Sequence, residues 1–361
     1  DTAKCGIGDA RVVFGAGLLT VMVGCTFNKQ FDLALFQRSL APLTGDGFSV
    51  VGITPFRRTF NRLVEATKDF RFHEMDGSSW DTCMFPELFR AVYAIRADIC
   101  GYTGEDLLAF NRYRDTLYDG LIVLPTNSVM HHASGNLSGQ PSTTPDNTIG
   151  NGIVTVYCVI RVLMDMDLKS LVRGMGDPEY QAHLNRIRAI KCALVNSGWV
   201  RRNLRLVQFG DDNNLGIRIG VLYDIHHHAF IGFMEMGFKL SFTEPAALTD
   251  MKLLNFSFAR VFDMWLPSSD APKLLASLRY GNFTDDGGLM RPIEAISRAC
   301  SIWYLSYGNR KLFEWVGGYL QWLLSKYAYP ARHTILTKGA IHELFTSESV
   351  SLNIADTDFT S

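Results

Sequence analysis

Ser138-Gly139-Gln140-Pro141-Ser142-Thr143-Thr144-Pro145-Asp146-Asn147-Thr148 is the stretch on which the reading of this 361-residue chain turns. Its small residues and prolines predict a loop over 134–145. From Asp146 the positions Ile149, Ile153, Val156, Ile160 and Leu163 step by four and three, which marks one face of a long helix. A Ser-Gly loop before a helix is, taken alone, usually a flexible cap. Its weight comes from the acidic patterns on either side. Upstream, the residues from Asp69 to Asp76 read as a short strand running into a turn at Gly77-Ser78-Ser79, with Asp81 just beyond. Downstream, Leu204 to Phe209 and Leu215 to Ile219 flank Gly210-Asp211-Asp212-Asn213, a β-hairpin with carboxylates at its tip.

Between these patterns, Leu88, Val92 and Ile95 keep helical spacing after Pro86. Thr103 with Asp106 opens a second helix carrying Leu107, Phe110 and Leu117, and Gly120 to Pro125 returns as a strand. The last hundred residues turn helical through Ile293, Ile296, Cys300 and Trp303, then Leu312, Trp315, Tyr319, Trp322 and Leu323. The pattern is mixed α/β followed by an all-α end.

Composition narrows the partners without naming them. With 35 Lys+Arg against 36 Asp+Glu, 47% apolar and 20% charged residues, the chain is an ordinary globular protein, not a disordered, collagenous or coiled-coil one. A net charge of −1 gives no global cationic field, so any nucleic acid must be held in a local groove. The seven cysteines are widely spaced with no CxxC pair, which suits reduced thiols and argues against a zinc ribbon. The uncharged run from Val12 to Phe27 is broken by Gly15, Gly17 and Gly24 and falls short of the roughly 20 apolar residues of a span, so no transmembrane segment is expected. The start at Asp1 leads us to expect a product cut from a larger polyprotein, or a fragment.

Four further features invite readings that physical argument sets aside. His226-His227-His228 cannot all face one ion from consecutive positions, and Gly15-Ala16-Gly17 lacks the third glycine of a dinucleotide fingerprint. Trp303, Trp315 and Trp322 are expected to form a helix–helix core, not a base-stacking platform. No Cys-His nucleophile arrangement surrounds Cys83.

The ordered set Asp76-x4-Asp81, Ser138-Gly139-x3-Thr143-x3-Asn147 and Gly210-Asp211-Asp212 resembles motifs A, B and C of the palm domain in RNA-dependent RNA polymerases of positive-strand RNA viruses. The middle stretch matches the SGxxxTxxxN pattern at every defined position, and the likeness runs from about Arg11 to Phe262. Phe209 stands where many members have Tyr, which keeps the aromatic packing. Val51-Gly52-Ile53-Thr54-Pro55 resembles a connecting stretch of the picornavirus-like and astrovirus-like branches, whereas earlier fingers elements have no counterpart. The resemblance implies an α/β (α+β) fold, a right-hand polymerase with an antiparallel-sheet palm, partial fingers and a small helical thumb. The implied divisions are 1–68 for partial fingers, 69–87 for palm with motif A, 88–133 for a fingers insertion, 134–261 for palm with motifs B to E, and 262–361 for the thumb.

The chemistry implied is RNA-templated joining of ribonucleoside triphosphates with release of pyrophosphate. A primer 3′-hydroxyl attacking an α-phosphate needs hard cations, and carboxylates from adjacent strands suit a pair of Mg²⁺ or Mn²⁺ ions. By resemblance Asp76, Asp211 and Asp212 are the metal ligands, Asp212 the less critical. Asp81 and Asn147 read the ribose 2′-hydroxyl, while Ser138, Gly139 and Thr143 sense the incoming nucleotide. Lys239 and Lys252 are the two positions for the motif D general acid. Phe258 and Arg260, in a stretch like motif E, grip primer and template, although Phe256 and Phe258 also suit plain core packing. Arg11, with Lys4, resembles the end of motif F, whose basic side chains contact the triphosphate. Arg57 and Arg58 are further candidates for the RNA channel. Template, primer, ribonucleotides and other viral replication proteins are the implied partners, in a replication complex in the host cytoplasm. A reverse transcriptase is disfavoured by Asp81 with Asn147. A palm-like RNA-binding module without catalysis is disfavoured by the intact, mutually repelling Asp76, Asp211 and Asp212.

Overall fold

A computed structural model of the chain describes residues 18–40, 56–78, 80–123, 128–132, 135–136, 140–171, 198, 202–220, 231–279, 291–328 and 335–347. The chain divides into two compact units, Asp1–Gly52 with Phe70–Pro245, and Ile53–Asp69 with Ala246–Ser361.

The first unit holds a four-stranded antiparallel sheet. Its strands are β1 (Phe70–Ser78), β4 (Leu204–Phe209), β5 (Asp212–Arg218) and β6 (Lys239–Phe242), in the order β4-β5-β1-β6. A second, two-stranded sheet pairs β2 (Gly120–Val123) with β3 (Val129–His132). Its helices are α1 (Leu18–Leu40), the single turn α3 (Trp80–Cys83), α4 (Pro86–Cys100), α5 (Gly104–Tyr118) and the long α6 (Thr143–Leu171). Phe89, Val92 and Tyr93 of α4, Phe110 and Leu117 of α5, Val154 and Val159 of α6 and Leu215 of β5 share one core. No helix among the described residues is long and apolar enough to cross a membrane.

Three local departures from the sequence reading have physical causes. β1 runs on through Gly77 and Ser78, where a turn was expected, because β6 offers a second pairing edge: Asp76 pairs with Ser241, Gly77 with Leu240 and Ser78 with Lys239. Helix α6 begins at Thr143, before the expected Asp146; Pro145 then lies in the first turn, where a missing N–H breaks no helical bond. On α4, Ile95 is exposed and Arg96 takes the buried face, where it pairs with the carboxylates of Asp32 and Asp146.

The second unit contains α2 (Thr59–Thr67), the hairpin of β7 (Phe256–Val261) and β8 (Met264–Ser269), and helices α7 (Ala271–Arg279), α8 (Pro292–Leu305), α9 (Arg310–Lys326) and α10 (Lys338–Thr346). The expected thumb boundary at 262 falls between β7 and β8, inside this unit. Phe60 of α2 meets Phe256 and Phe258 with ring centroids 5.9 and 5.3 Å apart. Trp303 stacks on Phe313 in the helical core, as expected. Trp315 and Trp322 do not join it: they are 57% and 50% exposed and stack on either side of Tyr319. Leu312, Phe313, Val316, Leu320 and Leu323 fill the core face of α9, and the 3.6-residue period turns Trp315 and Trp322 away from it.

Gly216 of β5 pairs with Phe72 of β1, and a Cβ built at Gly216 would stand 2.5 Å from Phe72 Cε1. Gly216→Ala is therefore expected to lower stability by about 1–3 kcal/mol through overpacking, read as a fall in the thermal midpoint; an unchanged midpoint would show that the ring moves aside at no cost.

Candidate active site

The β4–β5 register pairs Phe209 with Asp212 and leaves Gly210-Asp211 as a two-residue turn. Gly210 has φ +65°, a conformation that costs glycine little and any residue with a Cβ more. On the other side of β5, Met75 of β1 pairs with Asn213. One step further along these antiparallel strands, Asp76 comes level with Asp212. The topology therefore collects Asp76, Asp211 and Asp212 at one end of neighbouring strands. Asp211 is exposed and Asp212 half-buried.

The turn does not stand on its own backbone alone. Thr148 of α6 accepts a hydrogen bond from the Gly210 N–H at 2.7 Å and donates to the Thr144 carbonyl at 2.7 Å. Asn151 Nδ2 lies 3.4 Å from the carbonyl oxygens of both Gly210 and Asp211. Asn213 Nδ2 donates to Asn151 Oδ1 at 2.8 Å and to Thr155 Oγ1 at 3.0 Å, and Gln208 Nε2 reaches Thr155 Oγ1 at 3.4 Å. Thr148, Asn151 and Thr155 recur at helical spacing, so one buried polar stripe of α6 grips the hairpin on both sides of its tip. The apolar periodicity of this helix does not reveal the stripe. Alternation of Thr and Asn at i, i+3 and i+7 was the available signal, but small polar residues at that spacing read equally as a solvated face.

A second buried network occupies the start of α6. Arg96, 1% exposed, donates through Nε to Asp146 Oδ1 at 2.8 Å and through Nη1 to Asp32 Oδ1 of α1 at 2.8 Å. Ser142 Oγ donates to the other oxygen of Asp32 at 2.8 Å. Tyr93 and Gln140 donate to Asp146 Oδ2 at 3.2 and 3.0 Å. Burial works against the Arg96 charge, but the carboxylates of Asp146 and then Asp32 outweigh it and hold the guanidinium pKa above its ordinary value. For Asp146, burial raises the pKa and the adjacent Arg96 pulls it back only in part. Burial, followed by the Asp146 charge, raises the Tyr93 phenol. Asn136 Nδ2 donates to Asn147 Oδ1 at 2.7 Å and to the Thr143 carbonyl at 3.3 Å, while Gln140 Nε2 donates to Asn136 Oδ1. Thr143 and Asn147 are legible in the sequence, whereas Asn136, Arg96 and Asp32 are not, because they come from 50 or more residues away or from an unremarkable loop position.

The other expected residues fall as follows. Arg11, Ser138 and Gly139 lie outside the described residues, as do Lys4 and His226 to His228. The backbone of Asp81 is in α3, directly after β1. Lys239 is exposed on β6, opposite Ser78, and Lys252 is exposed after a short 3-10 turn. Arg260 is exposed and 3.3 Å from Asp263. Phe258 is buried against Phe60, so its ring serves packing. The backbone N–H groups of Arg57 and Arg58 donate to the Leu344 and Phe345 carbonyls within the second unit.

Residues 33–324 match the family described as viral RNA-dependent RNA polymerase. The chain belongs to that family. It is 22% identical over 313 residues to a genome polyprotein of plum pox potyvirus, covering 83% of this chain and 18% of the polyprotein. It is 26% identical over 351 residues to a genome polyprotein of ryegrass mosaic virus, covering 94% of this chain and 10% of the polyprotein. Its fold matches the crystal structure of the RNA-dependent RNA polymerase of a human picorbirnavirus with a TM-score of 0.59 at 14% identity, over 92% of this chain and 53% of that one. The α/β right-hand polymerase class, with its antiparallel sheet, is thus the fold of this chain. The chain spans about half the length of that solved polymerase and a smaller share of the polyproteins.

Polymerases of this family are in general divalent-metal dependent, and the donor set here is suited to such an ion. Asp211 and Asp212 offer hard carboxylate oxygens beside the level of Asp76. Among the described residues no three His, Cys, Asp or Glu side chains form a ready cage. Mg²⁺ is characteristically bound by one or two carboxylates, substrate phosphates and retained water, so a complete protein cage is not required.

Removing the Thr148 hydroxyl strands the buried Gly210 N–H. Thr148→Val is expected to cost about 1–3 kcal/mol of stability in urea denaturation, with Thr148→Ser retaining most of the wild-type stability; a loss in Thr148→Ser with Thr148→Val unchanged would mean that the methyl, not the hydroxyl, holds the turn.

Proposed function

We propose that this chain is the core of a viral RNA-dependent RNA polymerase, extending an RNA strand on an RNA template from ribonucleoside triphosphates and releasing pyrophosphate. The observation that carries this reading is the register that brings Asp76 level with Asp212 beside a turn fixed by α6. Asp76 and Asp211, with Asp212 close by, are the residues to hold a pair of Mg²⁺ or Mn²⁺ ions. When bound, these ions supply Lewis acidity that lowers the pKa of the attacking 3′-hydroxyl and neutralise the leaving pyrophosphate.

The remaining roles belong to the protein. Asp81 and Asn147 read the ribose 2′-hydroxyl, so that a deoxyribonucleotide leaves their polar atoms unpaired. Ser138, Gly139 and Thr143 form the nucleotide-sensing loop and helix start. Lys239 or Lys252 delivers a proton to the departing pyrophosphate. Arg11 contacts the triphosphate and Arg260 the RNA backbone; such phosphate contacts make affinity fall with salt although the chain is nearly neutral. A viral replication complex in the host cytoplasm, with other replication proteins as partners, is the setting this reading implies.

Primer extension on an RNA primer–template, with ribonucleotides against deoxyribonucleotides, tests the reading. The wild type is expected to extend selectively with ribonucleotides and Asp211→Asn to lose at least about a hundredfold in rate. Extension unaffected by Asp211→Asn would remove the site, and RNA binding without extension in the wild type would leave a binding module.

A further inference from the structure

Resting on the polymerase reading, we infer that Arg96, Gln140 and Asn136 form a hydrogen-bond relay that sets which way the amide of Asn147 faces, and so act as positioning residues for sugar selection. A guanidinium is donor-only, so Asp146, held by Arg96 Nε at 2.8 Å, is an acceptor. Gln140 approaches the other oxygen of Asp146 at 3.0 Å and must present Nε2 there. The same Nε2 meets Asn136, which therefore presents Oδ1 to it.

That choice turns Asn136 Nδ2 toward α6, where it faces the Thr143 carbonyl at 3.3 Å and Asn147 at 2.7 Å. A backbone carbonyl only accepts, so it demands the same orientation of Asn136 independently of Gln140. Asn147 must then accept through Oδ1. Reversing any amide in the chain would set oxygen against oxygen or N–H against N–H. The orientation holds at a cost, because Gln140 Oε1 is buried with no partner among the described residues. Asn136, Gln140 and Asn147 are each no more than 5% exposed and Arg96 is 1% exposed, so bulk water does not scramble the order.

The consequence concerns the nucleotide. With Oδ1 committed to Asn136, Asn147 meets a ribose 2′-hydroxyl as an N–H donor, and the hydroxyl is left to donate its own proton to a carboxylate such as Asp81. The two residues become complementary, where an Asn of free orientation would compete with Asp81 for the same proton. Asn136 thus acts through Asn147 and does not itself touch the sugar.

The test compares wild type, Asn136→Asp and Asn136→Ser in single-nucleotide extension, taking kcat and KM separately for ATP and 2′-deoxy-ATP, with thermal midpoints as a folding control. Asn136→Asp is nearly isosteric but offers only acceptors, so Asn147 is expected to turn its amide and the ribo-to-deoxyribo ratio of kcat/KM to fall about tenfold. The fall should come mostly from weaker use of ATP. Asn136→Ser keeps a donor at shorter reach and should retain more of the ratio than Asn136→Asp. A ratio unchanged in a folded, active Asn136→Asp variant overturns the relay. Equal slowing with both nucleotides assigns Asn136 a structural role only and also overturns it. No extension by the wild type would instead sink the polymerase reading, so the two failures are distinguishable.

Discussion

The bond from the Gly210 N–H to Thr148 Oγ1 joins the two halves of the site: it ties a turn between strands to the side of a helix. Carboxylates brought together at strand ends repel one another when no cation is present. A hairpin tip left to its own backbone would relax away from that repulsion. Thr148, Asn151 and Thr155 oppose this by holding backbone atoms of Gly210 and Asp211 and side chains on both strands. These bonds are buried, so releasing one leaves a polar group without water, and the turn keeps its position at low entropic freedom.

The same helix carries both functions of the proposed site. Its start carries Thr143 and Asn147 and its next turns grip the carboxylate hairpin, so the nucleotide-sensing and metal-binding roles proposed for these residues would rest on one helix. The Arg96 triad anchors the start of that element to α1 and α4. A buried ion pair of this kind is weak evidence for added stability, because desolvation offsets much of the attraction. Its value here lies in direction: a donor-only group at the head of a polar chain leaves one way for each amide to face. The continuous wall of aromatic and aliphatic side chains around Tyr93 and Phe110 keeps water out of that chain.

Most of this fold is legible in the sequence wherever one residue type decides the local geometry. Gly210 between two β-rich runs announces the hairpin, Pro86 the start of α4, and the Ser-Gly to Asn147 pattern the family. What escapes has a common cause: it depends on partners distant along the chain. Strand pairing with β6 carries β1 past Gly77, which local propensity reads as a turn. Arg96 is an ordinary surface residue until Asp32 and Asp146 surround it. Trp315 and Trp322 read as core by their size, and only the placement of Leu312, Val316 and Leu320 shows that the core face of α9 is already filled. Asn136 and Gln140 carry no signal at all at the level of composition, because their role is the order of their hydrogen bonds.

The central claim is that Asp76 and the Gly210-Asp211-Asp212 turn form one metal-binding centre. The most direct measurement is anomalous diffraction from crystals of the protein grown with Mn²⁺, RNA and a non-hydrolysable ribonucleoside triphosphate. Two manganese peaks roughly 3.5–4 Å apart, bridging the carboxylates of Asp76 and Asp211, are the predicted result. Manganese bound only to the triphosphate, with neither aspartate in its coordination shell, would contradict the account.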